Sequence, residues 1–397
     1  MDVSPAQVVA FRLAAQQVAP RGSSPLEVLG GWAVQDSPSG SAAVALATRS
    51  GALDAGWLDA ALHDERTAVA LYNPRTATAV VPAAEVAAYT AGLLGRDEDE
   101  LRHVLGRAIP PAGDGIEPAA AVAAALPAFE DALDQGPLSR DDLHAALRER
   151  LPGDLLPWCD GCKSHHARRG LLVTAGLHGR LCIAGRAGRQ PLFARTDRWL
   201  GSAADPTASS PDAAAAELVR RFLRGYGPAA PQLLADWAGV SRGQARRMWR
   251  LVEDELAEVT IARGDGTNGR GRSGGASGSG AWLLRDDVER VAAAVPPTGV
   301  ILLPAGDPLL LARDRELLVP DPLARRQVWA AINMPGVVLV DGAAVATWRG
   351  RKRGRRLDVE LRPLGGPLSN RAVAAVEREA SRLAPHRGCT SAAVTAS

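Results

Sequence analysis

The chain has 397 residues, is 46% apolar and carries a formal net charge of +2, so bulk charge alone does not indicate a nucleic-acid partner. That length can bury two or three separate cores, and four cysteines are too few for a disulfide framework. No segment approaches the roughly 18 apolar residues of a membrane span, and Met1–Ala10 lacks the basic and apolar regions of a signal peptide, so a soluble cytoplasmic bacterial protein, not a membrane one, is expected.

Ser4-Pro5 reads as a helix cap followed by a proline in the first turn, and the helix runs through Val8, Phe11, Leu13 and Val18. Ser24-Pro25 repeats the signal ahead of a short helix, Leu26–Gly30. Further helices are expected over Ser37–Thr48 and Asp54–Leu62. Thr67–Tyr72 and Ala77–Val81 then alternate as strands around the turn Asn73-Pro74-Arg75. Helices followed by a hairpin make a winged-helix pattern.

The pattern recurs with helices at Ala119–Leu133 and Asp141–Leu151, Ser139 as cap, and strands Arg180–Ile183 and Pro191–Arg195. It recurs again with helices Ala213–Tyr226, Pro231–Ala238 and Arg242–Leu256 and strands Glu258–Ala262 and Ala281–Leu284. The intervening Gly264–Gly280 is rich in Gly, Ser and Arg and reads as a mobile wing tip. Beyond Pro296, short β-type runs appear at Val300–Leu303, Leu317–Val319, Val337–Val340, Ala344–Trp348 and Leu357–Arg362. The helix Asn370–Leu383 follows, then a dozen residues expected to fray. The predicted architecture is α+β: winged-helix units at 1–115, 116–205 and 206–295, then a small β-rich domain at 296–397.

All but two of the 46 basic residues are arginines, the exceptions being Lys163 and Lys352. A GC-rich genome accounts for that bias. The physical consequence stands all the same: the arginine fork matches phosphates and base edges. The helix Arg242–Leu256 follows a Gly-containing turn, as the reading helix of a helix-turn-helix does. Its arginines can equally be a solvated face paired to Glu253, Asp254 and Glu255. Arg75, then Arg186 and Arg189, mark two hairpin tips. The third, with Arg349, Arg351, Lys352, Arg353, Arg355 and Arg356, interleaves basic residues with glycine, which lets a phosphate chain approach the backbone. Trp348 at its base is expected to pack.

Two clusters carry candidate chemistry. Cys159-Asp160-Gly161-Cys162 precedes His165 and His166. Two thiolates and imidazoles this close can bind zinc. The spacing is shorter than in common zinc sites, so a buried or surface Cys pair with a His pair at a helix start is the reading adopted, and the His pair can also face DNA. No metal or cofactor is assigned. The second cluster, Gly30–Pro38, gathers Gln35, Asp36 and Ser37 between two helices, where Asp36 or Ser37 can simply cap the next helix.

At this point the sequence resembles the AlkZ/YcaQ family of winged-helix bacterial DNA glycosylases, some of which act in self-resistance to DNA-alkylating antibiotics. The likeness runs through Gln35-Asp36-Ser37-Pro38-x-Gly40 and Leu156-Pro157-Trp158-Cys159-x-x-Cys162 with His165 and His166. It continues through Leu302-Leu303-Pro304-x-x-Asp307-Pro308, Arg313-Asp314-Arg315, Pro335–Gly342 and Thr347-Trp348-Arg349. The resemblance implies tandem winged helices forming a concave DNA-binding surface. It also implies monofunctional hydrolysis of the N-glycosidic bond of alkylated purines in double-stranded DNA. Bulky N7-guanine or N3-adenine adducts and cross-links of natural products are the implied lesions. A monomer is expected.

The family motif, Gln-hydrophobic-Gln or Gln-hydrophobic-Asp, falls on Ala33-Val34-Gln35, so the second amide is present and the first is replaced by Ala33. Catalysis is therefore expected at Gln35, with Asp36 stabilising positive charge and Ala33 opening space for a bulky adduct. DNA contact is expected at Arg186, Arg189, His165, His166, Arg349, Arg351, Lys352, Arg353 and Arg355. The alternative is a non-catalytic winged-helix DNA-binding protein or regulator.

Overall fold

The computed structural model describes residues 1–22, 24–188, 190–201, 209–262 and 280–396. Arg189 and most of the expected wing tip, 264–279, lie outside the described residues. The chain forms two compact units of an α+β architecture. One comprises Met1–Trp57, Arg220–Leu233 and Glu253–Ser397, the other Leu58–Val219 and Leu234–Val252.

The first unit is built on a five-stranded sheet in the order Val300–Leu303, Gly336–Val340, Ala343–Arg353, Arg356–Pro363, Ser391–Ala396. Alternation along the strands divides the apolar residues between two faces. Leu302, Val338, Ala346, Leu357, Val359 and Leu361 pack with Val44 and Ala47 of the helix Ser41–Arg49 and Val376 and Leu383 of the helix Asn370–Leu383. Ile301, Leu303, Val337 and Leu339 pack with Leu13, Val18 and Val328. A separate hairpin, Leu256–Ile261 with Ala281–Leu284, takes Asp2–Val3 as a parallel third strand.

Two expectations for the C-terminal third are corrected. Leu317–Val319 is a turn rather than a strand: its amides bond back to Asp314 and Arg315, and Val319 drops into the core. The chain end does not fray. Ser391–Ala396 pairs parallel with Arg356–Leu361, because the helix Asn370–Leu383 carries the chain back along the sheet, a strand–helix–strand crossover.

The basic hairpin also differs from a loop tip. Its strands continue to Arg353 and Arg356, leaving Gly354-Arg355 as the turn, with Gly354 at φ +61°. Trp348 packs as expected, its Nε1 donating to Leu303 O at 2.8 Å across the intervening strand. Gly336 lies beneath that bond, where a Cβ would fall 2.3 Å from the indole nitrogen.

In the second unit the hairpins Ala68–Tyr72/Thr78–Pro82 and Cys182–Ala187/Gln190–Ala194 lie side by side in one sheet, joined through Ala70 and Ile183. The helix Arg242–Arg250, capped by Ser241, is anchored inward. Gln244 Nε2 donates to Leu93 O at 2.9 Å, and Arg247 grips Glu100 at 2.7 and 3.0 Å. Arg247 therefore pairs with Glu100 rather than with the acidic run after its own helix. Arg242, Arg246 and Arg250 are exposed.

A fully buried ion pair joins the parts of the first unit. Arg49 Nη1 and Nη2 donate to the two Asp307 oxygens at 2.7 and 2.8 Å, both side chains having no exposed surface. Arg49 also donates to Ala45 O and Gln16 Oε1, and Asp307 Oδ1 accepts from Leu309 N–H. Breaking a buried pair strands the partner's charge, so Arg49→Met is expected to lower stability by about 3–5 kcal/mol. Denaturant unfolding measures it, and a loss under about 1 kcal/mol contradicts the assignment.

Candidate active site and nucleic-acid interface

The helix Pro25–Trp32 ends at Ala33, whose left-handed φ of +47° turns the chain outward. Val34 is then buried and Gln35 half-buried. Gln35 Nε2 donates to Ser37 O at 3.0 Å, and Ser41 Oγ donates to Gln35 O at 3.1 Å. With its amide nitrogen so engaged, the other end of the Gln35 side chain, Oε1, is the acceptor.

Asp36 turns toward the next helix. Its Oδ1 accepts from Gly40 N–H at 2.8 Å and Ala42 N–H at 3.1 Å, so the carboxylate caps the first turn of Ser41–Arg49. The capping alternative for Asp36 is thus the one its hydrogen bonds express. Gly306 closes the other side of the loop. A Cβ there would fall 2.7 Å from Ser37 O and 3.1 Å from Gln35 Nε2, and its φ is +74°. Only glycine allows this close approach without strain.

A groove of about 1120 Å³ opens beside this loop. Ser37, Pro38 and Ser41 form one wall, and Pro304, Ala305 and 333–336 another. The sheet contributes Arg349, Arg351 and Arg353 from one strand and Arg356, Asp358 and Glu360 from its neighbour. These residues share a face because the register pairs 349 with 360 and 351 with 358. Arg353 and Arg356 reach Asp358 at 3.1 and 2.7 Å, and the Arg356 hydrogen bond holds the Asp358 carboxyl below its ordinary value. Among the described residues no carboxylate lies within 4.0 Å of Arg349 or Arg351. Their charge is available to a phosphate.

Lys352 alternates to the opposite face and Arg355 sits in the turn; neither lines the groove. Gly306 and Arg49 escaped the sequence reading. The Leu302–Pro308 block pointed at the first, and an arginine closing the apolar helix Ser41–Arg49 marked the second.

The remaining expected residues belong to the second unit. Arg186 is exposed near the end of the strand Cys182–Ala187. Trp158–Cys159 and Ser164–His165 pair as a short antiparallel ribbon, with Trp158 exposed. His165 Nδ1 meets Leu156 O at 2.8 Å and its ring stands edge-on to Trp158. His166 instead points at the cysteines: ligand atoms of Cys159, Cys162 and His166 lie within 4.8 Å of one another.

A family model described as "DNA glycosylase AlkZ-like" matches residues 26–386. The chain belongs to the AlkZ-like DNA glycosylase family. The solved structure of Streptomyces sahachiroi DNA glycosylase AlkZ matches it with a TM-score of 0.76 at 24% identity, covering 100% of both chains, which shows a shared fold. A curated relative from Streptomyces sahachiroi, described as an interstrand DNA cross-link repair glycosylase, is 29% identical over 188 residues. That match spans 45% of this chain and 44% of the relative's length. No helix among the described residues is long and apolar enough to cross a membrane.

Within this AlkZ-like site, the cap at Asp36 holds the loop that bears Gln35. Asp36→Ala is expected to cost about 0.5–2 kcal/mol, whereas Asp36→Ser, which keeps an oxygen acceptor, costs well under 1 kcal/mol. Equal stability of the alanine variant and the natural protein in thermal unfolding contradicts the capping role.

Proposed function

We propose that this protein is a monofunctional DNA glycosylase that hydrolyses the N-glycosidic bond of alkylated purines in double-stranded DNA. Its substrates are bulky N7-guanine or N3-adenine adducts, including cross-links. It acts as a cytoplasmic monomer, in DNA repair or antibiotic self-resistance, through tandem winged-helix units. The observation that carries the reading is Gln35, fixed by Ser37 and Gly306 at the edge of a groove that presents Arg349 and Arg351.

The chemistry asks little of the protein as an acid. A purine alkylated at N7 or N3 is cationic, so the bond from C1′ to the base nitrogen breaks with both electrons leaving on a neutral base. Water then adds its oxygen to C1′ and releases a proton to solvent. Gln35 Oε1 accepts a hydrogen bond from that water and aims it, a positioning role that a neutral amide can fill. Asp36 holds the loop through the helix end and adds negative potential near the developing sugar cation. Ala33 leaves space where the family carries the first amide of its motif. Arg349, Arg351 and Arg353 hold the phosphate backbone, with Lys352 and Arg355 at the hairpin edge. In the second unit, Arg186, Arg189 and His165 are further DNA contacts, while His166, expected to face DNA, is turned toward Cys159 and Cys162.

A second reading, a non-catalytic binder of adducted DNA, draws on the missing amide at position 33. One assay separates the two: duplex DNA carrying N7-methylguanine, or a bulky natural-product adduct, is incubated with the protein and scored for abasic sites. The natural protein is expected to form them, and Gln35→Ala to form them at least about 100-fold more slowly with nearly unchanged DNA affinity. The double variant Arg349→Ala/Arg351→Ala should bind more weakly, with a salt slope shallower by about 2. Undiminished excision by Gln35→Ala rejects it as the catalytic residue, and DNA binding without abasic sites favours the binder.

A further inference from the structure

Among the described residues, the group of metal-ligating side chains lies at the Trp158–His165 ribbon of the second unit. Cys159 closes one strand, and the turn Asp160–Lys163, with Lys163 at φ +50°, returns Cys162 toward it. His166 follows the second strand. Its Nδ1 meets the Ala167 carbonyl at 2.9 Å, which places the proton on Nδ1 and leaves the Nε2 lone pair outward. That Nε2 is buried and has no hydrogen-bond partner. A buried ring nitrogen without a partner asks for an explanation. Here it lies within 4.8 Å of two thiols.

A fourth nitrogen is adjacent. His144, on the helix Arg140–Arg148, has its ring centre 4.5 Å from that of His166, and its Nδ1 is likewise buried without a partner. His165 is excluded, since its Nδ1 is committed to Leu156 O.

We infer that Cys159, Cys162 and His166 form a structural zinc site, with His144 as the fourth ligand. Two soft thiolates and two imidazoles are the donor set that selects zinc. Zinc bond lengths imply ligand-to-ligand separations of about 3.4–3.8 Å, so Cys159, Cys162 and His166 need only a small contraction, and His144 closes on them from beside His166. Binding displaces the two thiol protons to solvent and leaves both sulfurs as thiolates. The metal ties the ribbon that presents Trp158 to the helix Arg140–Arg148. The inference does not rest on the glycosylase reading.

The test uses untagged full-length protein purified under reducing conditions. Metal analysis is expected to give about one zinc per chain, and replacement by cobalt to give a thiolate-to-cobalt charge-transfer band. Cys162→Ser should lose the metal, and His144→Ala should keep it with weaker affinity. No zinc after zinc supplementation, no charge-transfer band in the natural protein, or a Cys159–Cys162 disulfide under reducing conditions each overturns the site. The cobalt spectrum is read on the natural protein, so the test survives a variant that fails to fold.

Discussion

The buried pair between Arg49 and Asp307 is the constraint on which the first unit depends. Two charges with no exposed surface are tolerated only when hydrogen bonds replace the water they lose. Both Asp307 oxygens are engaged, and both Arg49 terminal nitrogens have two acceptors each. Gln16, which accepts one of these bonds, donates in turn to Gly225 O. One side-chain cluster thus fixes the first helix, the helix Ser41–Arg49 and the Pro304–Leu309 turn. The same helix is held to the sheet by Thr48 Oγ1, which donates to Leu302 O at 3.0 Å.

The consequence reaches Gln35 from both ends of that cluster. At the N-terminal end of the helix whose C-terminus bears Arg49, Asp36 caps the backbone immediately after Gln35. One residue before Asp307, Gly306 lies so close to the Gln35 amide and the Ser37 carbonyl that a side chain there would displace them. A shift of either element moves the amide, which matters for a residue whose proposed task is to aim a water. The sheet adds the second half of the site. Trp348 reaches across one strand to Leu303, and its own strand carries Arg349 and Arg351 to the groove.

Much of this was legible in the sequence. Caps at Ser4, Ser24 and Ser139 act as read, and Pro231–Ala238, Ala281–Leu284, Val300–Leu303 and Asn370–Leu383 have their expected limits. Local chemistry sets such elements, so local reading finds them. The last strand was missed because its pairing depends on a helix folding back, a non-local event that Ala- and Thr-rich residues do not announce. Gln244 and Arg247 looked like reading residues, yet they bond to Leu93 and Glu100, partners far away in sequence. The motif at Ala33–Asp36 was visible, but whether Asp36 faced substrate or helix depended on the direction of the turn at Ala33.

A buried electrostatic lock holds the single amide beside the groove. Its most direct test is the single-turnover excision rate of Asp307→Asn on duplex DNA carrying N7-methylguanine, measured below the variant's unfolding midpoint. The account predicts a fall of at least about 10-fold, with DNA affinity within about threefold of the natural protein. Full excision by the folded variant would show that Gln35 is held, or catalysis performed, without the Arg49–Asp307 lock.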